Sequence, residues 1–150
     1  MRGKTMEVFS KAYLDEVVEN QGKLFEYAQD HCPGMNIEDF IDHYMKSRTR
    51  SLIDEGQAYV STMNAESLFD YFLKNDKYEL KQGKESGGFA PDWIGQFYAL
   101  FQWMYRIPSK EVVRLLPVEF MFEGYPGLHD LDLQVAVQKV GEQCGLEKQE

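Results

Sequence analysis

The run from Pro91 to Arg106, PDWIGQFYALFQWMYR, constrains the fold of this chain more than any other segment. Its proline suits the first turn of a helix, where no backbone donor is needed. Trp93, Phe97, Leu100, Phe101 and Met104 then share one helical face, while Ile94, Tyr98, Trp103 and Tyr105 extend the apolar surface around most of the circumference. A helix that is apolar on most sides has to be covered on most sides, so residues 91–106 are predicted to be the central helix of a bundle. Gly95 and Ala99, four residues apart, leave a small-residue side where another helix can approach closely. Gln96 and Gln102 are the polar exceptions, and they require hydrogen-bond partners if buried.

The flanking segments supply helices to cover it. A stripe of Tyr13, Leu14, Val17, Val18, Leu24, Phe25 and Ala28 predicts a helix within Ser10 to His31, ended by Cys32-Pro33-Gly34. Asn36, followed by Glu38 and Asp39, marks the next start, and the stripe through Ile37, Phe40, Ile41, Tyr44, Met45 and Leu52 predicts one continuous helix closed by Gly56. Asn64 caps a third helix, with Leu68, Phe69, Phe72 and Leu73 on its buried face. Residues 75–88 are polar and glycine-rich and read as one longer loop, with a short extended piece at Tyr78-Glu79-Leu80. Ser109 caps a short helix, Pro117 opens another that Gly124 closes, and Tyr125-Pro126-Gly127 reads as a turn. Asp130 and Asp132 begin a last helix carrying Leu133, Ala136, Val137, Val140 and Cys144. Hairpin signals are absent. The expectation is therefore a mostly α protein, a single helical domain over residues 1–150 with about five to seven helices, short loops, and frayed ends at 1–9 and 145–150.

Charge narrows the functional classes. The net charge is −9, and residues 111–150 hold eight acids against three bases. Such a chain lacks the Lys and Arg excess that neutralises phosphates, which argues against direct nucleic-acid binding and favours a basic protein partner. No window approaches the roughly 20 apolar residues of a membrane span, and the N-terminus lacks the apolar core of an export signal. Cys32 and Cys144 form no metal or redox pair, so reduced thiols in a cytoplasmic protein are the simpler expectation.

Motifs of chemistry are weak. His129-Asp130-Leu131-Asp132 places an imidazole and two carboxylates within four residues, but acids at a helix start are also placed there by the helix dipole. Asp39 and His43 sit at i,i+4 without the second His and the Glu of a zinc-protease helix. Neither a nucleophile elbow nor a phosphate loop occurs, and the basic run Lys46-Ser47-Arg48-Thr49-Arg50 reads as an ion-paired helix face, with Asp54 four residues from Arg50. Neither cofactor nor metal is expected. What remains is a small acidic non-enzymatic protein that binds and modulates or inhibits another protein, one that is basic or handles nucleic acid. Antitoxin, immunity and anti-CRISPR inhibitors share that size and charge. The expected partner surface comprises Glu119, Glu123, Asp130 and Asp132 together with the surplus rings Tyr98, Trp103 and Tyr105. A different class of reading is a ligand-binding or catalytic bundle whose aromatic pocket presents Gln96, Gln102 and His129. A third is a homodimeric scaffold using the surplus aromatics.

Overall fold

The computed structural model describes residues 8–83 and 88–147. Among them are nine α-helices and no strand: α1 (Leu14–His31, preceded by a 3-10 turn at Lys11–Tyr13), α2 (Ile37–Met45), α3 (Arg48–Asp54), α4 (Ala58–Ser61), α5 (Ala65–Asn75), α6 (Ala90–Tyr105), α7 (Ser109–Leu115), α8 (Val118–Leu128) and α9 (Leu133–Gln143). The protein is a mostly α bundle in which α6 packs against α1, α7, α8 and α9. Ile94, Phe97, Tyr98, Ala99 and Phe101 are wholly shielded from solvent, as the central position of α6 requires.

The most extensive contact is the crossing of α1 and α6. A methyl group added at Gly95 would stand 2.6 Å from the Gln21 carbonyl oxygen and 2.8 Å from the Gly22 Cα, so the expected small-residue side is where α1 docks. Gly22 supplies the matching gap on α1, which the sequence pattern does not reveal. The two helices run antiparallel, since Gln29 donates to the Gly88 carbonyl near one end and Gln21 donates to the Gly95 carbonyl at the crossing. Further along α6, Tyr105 lies against Gly141 of α9, where an added Cβ would fall on its phenol ring.

Most of the cap chemistry appears where the sequence places it, but Ser109 is the first residue of α7 and not its cap: Pro108 holds the cap position, with no side-chain capping hydrogen bond. Asn36 and Asn64 each accept from the backbone N–H three residues on, and Gly56 adopts a left-handed φ of 84° after α3. Three boundaries differ. The helix expected from Asn36 to Gly56 is broken at Lys46-Ser47. There the Ser47 hydroxyl donates to the Tyr44 carbonyl and accepts from the Arg50 N–H, so one side chain closes α2 and caps α3. The helix opened by Pro117 does not stop at Gly124. It runs through Tyr125-Pro126-Gly127 to Leu128, because a proline in the last turn removes a single helical hydrogen bond, and His129 N–H still donates to the Tyr125 carbonyl. In place of the extended piece at Tyr78–Leu80 there is one isolated antiparallel bridge between Met35 and Gln82, and residues 84–87 of the expected loop lie outside the described residues.

The ends are also more structured than expected. Residues 1–7 and 148–150 lie outside the described residues, but Phe9 is wholly buried and Leu146 packs on the core after the left-handed Gly145. Cys144, assigned to the apolar stripe of α9, is exposed just beyond the helix.

Candidate functional site

At the centre of the fold is a buried polar network. Arg50 has no exposed side-chain surface. Its Nη1 donates to Asp54 at 2.8 Å, its Nε to Gln21 at 2.7 Å and its Nη2 to Gln102 at 2.6 Å, while the Phe9 ring covers the guanidinium. Gln102 donates in turn to both Asp54 oxygens, and the Ser109 backbone N–H donates to Asp54 at 3.0 Å. Each charge faces its partner in the interior, so this constellation ties α1, α3, α6 and α7 together and offers nothing to a ligand. The ion pairing expected of the basic run is present, with Lys46 on Asp42, Arg48 on Glu55 and Arg50 on Asp54, but Arg50 turns inward and does not lie on a solvated helix face.

The residues singled out from the sequence fall in separate places. Tyr98 is wholly buried and donates to the Leu116 carbonyl at 2.6 Å, and burial pushes its phenol well above the usual tyrosine range. Tyr105 is 7% exposed. Both belong to the core rather than to a partner surface. Trp103 is half-buried, with its indole N–H inside the protein. Gln102 lies in the Arg50 network, Gln96 donates to Asp92 at the surface end of α6, and His129 stacks on Tyr125 at the exposed end of α8, so the three do not converge on one pocket. Glu119, Glu123 and Asp130 are exposed, with Asp130 3.3 Å from His129. No group of three or more His, Cys, Asp or Glu side chains arranged for a metal occurs among the described residues.

Of the expected acids, Asp132 belongs to a concave site. It caps α9 by accepting from the Gln134 N–H, and it lines a groove of about 650 Å³ between α1, α6 and α9. Leu14, Val18, Leu100 and Leu133 are the apolar lining of this groove, and Asp15, Glu19, Glu26, Asp92 and Asp132 are its acids. Lys23 is the one cation in the lining, and it is bound to Glu19 at 3.0 Å. The carboxyl group of Glu26 is held above its usual range by partial burial first and then by the charges of Asp92 and Asp30. The α1 acids lie on one side of an amphipathic helix and are visible in its pattern. That Asp92 and Asp132, far away in sequence, join them is a consequence of the antiparallel α1–α6 crossing and the docking of α9.

Comparisons with protein-family models, curated proteins and solved structures return no match for this chain.

Proposed function

We propose that this protein acts without catalysis, by binding a basic protein and modulating or inhibiting it, in the manner of small acidic inhibitors such as antitoxins, immunity proteins and anti-CRISPR proteins. The observation that carries this reading is the groove between α1, α6 and α9, where five carboxylates face one already paired ammonium. Such a surface attracts cationic groups over roughly a Debye length and speeds encounter with a basic partner. The lining holds no Ser, Thr or Cys to act as a hydroxyl or thiol nucleophile, and its acids are spread along the groove, which supports recognition. A cytoplasmic setting is part of the same proposal and follows the two unpaired cysteines. Among the described residues no helix is long and apolar enough to cross a membrane.

The test is capture from native lysate on the immobilised protein, with retained proteins identified by mass spectrometry. A basic partner whose retention falls steeply as salt is raised is expected. Turnover of a small molecule by the purified chain, with no retained partner, would overturn the proposal.

A further inference from the structure

The geometry points to a basic amphipathic helix of about three turns as the element of the partner that seats in this groove. The inference rests on the binding reading above and adds what form the bound element takes.

Three observations favour a helix. First, the acids are spread along the groove. Asp15 and Glu26 are eleven residues apart on α1, about 16 Å at the helical rise of 1.5 Å per residue, and Asp92 joins Glu26 at one end. A point cation would need the carboxylates gathered, whereas a rod carrying cations on successive turns meets them in sequence. Second, the groove has an apolar side as well as a charged one. Leu14 and Val18 are one turn apart on α1, and Leu100 and Leu133 come from α6 and α9, so apolar side chains at i, i+3, i+4 and i+7 of a guest have partners to cover. Third, the walls are themselves helices. Asp92, Gln96 and Leu100 follow one another at four-residue spacing on α6, a ridge that α1 already packs against at Gly22 and that lines the groove beside that crossing. Nucleic acid is repelled by the carboxylates, and so is a second copy of this chain at a net charge of −9.

The experiment uses the full chain and three probes, followed by isothermal titration at low salt. One probe is a 12-residue peptide of Leu and Lys arranged at helical spacing. The second has the same residues in alternating order, and the third is the linear polyamine spermine. The helically patterned peptide is expected to bind most tightly, and to lose about tenfold in affinity in Glu26→Lys and in Asp15→Lys, with Glu119→Lys as a control outside the groove that changes little. Each variant should retain the helical circular dichroism of the parent. Equal binding of the patterned and alternating peptides, tighter binding of spermine, or equal losses in Glu119→Lys and Glu26→Lys would overturn the helix. The binding reading fails separately: if the lysate partner is captured equally by the parent and by Glu26→Lys, the groove assignment falls while the reading stands, and if nothing is captured the reading falls.

Discussion

Arg50 and Asp54 show how little a residue's neighbours in sequence say about its role. Their i,i+4 spacing makes an ion pair legible from the sequence alone, but the same spacing serves a solvated helix face and a buried centre equally well. What decides is Gln21 from α1, Gln102 from α6 and the Ser109 N–H of α7, all delivered by tertiary contact. Removing a charge from water costs several kcal/mol, and the attraction of its partner offsets that only while both are present. Asp54→Asn should therefore destabilise the protein by about 3–5 kcal/mol, because it leaves the guanidinium buried without a counter-charge. Urea denaturation measures this, and a loss below about 1 kcal/mol would show that the pair does not hold the four helices together. The same distinction applies to Tyr98 and Tyr105. As surplus rings on an already apolar helix they were candidates for an interface, and only the docking of α7, α8 and α9 on α6 makes them core.

At the scale of elements, glycine separates a local effect from a tertiary one. Gly95 and Gly124 both lie inside helices, and the helical propensity of Ala favours replacing either by about 1 kcal/mol. At Gly124 an added methyl group meets only the Leu128 side chain at 3.4 Å, whereas at Gly95 it collides with the backbone of α1. Gly124→Ala should raise stability by about 0.5–1 kcal/mol, and Gly95→Ala should lower it by about 1–3 kcal/mol, because two helix backbones must move apart. Thermal unfolding of the two variants decides it, and a stabilising Gly95→Ala would remove the close crossing. The small-residue side of α6 was legible as a four-residue spacing, but its partner Gly22 was not, since a lone glycine within an amphipathic stripe carries no signal of what faces it. The break at Ser47 escaped for a related reason. A serine inside an apolar periodicity reads as a tolerated helical residue, and its hydroxyl becomes a cap only because the turn it makes carries Arg50 into the interior.

For the molecule as a whole, charge is the property that links stability to recognition. The carboxyl of Glu26 is held above its ordinary value of 4.5, so the folded state binds that proton more tightly than the unfolded chain does. Stability from this group is therefore lost as pH rises from 4.5 through the folded value, and ionised Glu26 weakens the fold at neutral pH. Glu26→Gln should melt higher than the parent at about pH 7, with the difference closing below about pH 4. A variant that melts lower at pH 7 would remove the electrostatic crowding from the groove. A basic partner would offset the Asp92 charge, which adds to the effect of burial in holding the Glu26 carboxyl above its ordinary value. The sequence by itself determined the helical class, the caps at Asn36 and Asn64, the central place of α6 and the acidic balance, because periodicity, capping chemistry and charge are carried by neighbouring residues. Only the tertiary structure decided that Arg50 is buried, that Tyr98 and Tyr105 are core, and that acids at positions 15, 19, 26, 92 and 132 share one groove. Those outcomes depend on which helix faces which, and that is set by the close approach of α1 and α6 at Gly22 and Gly95 and by the seating of the Tyr105 ring on Gly141, between residues far apart in the chain.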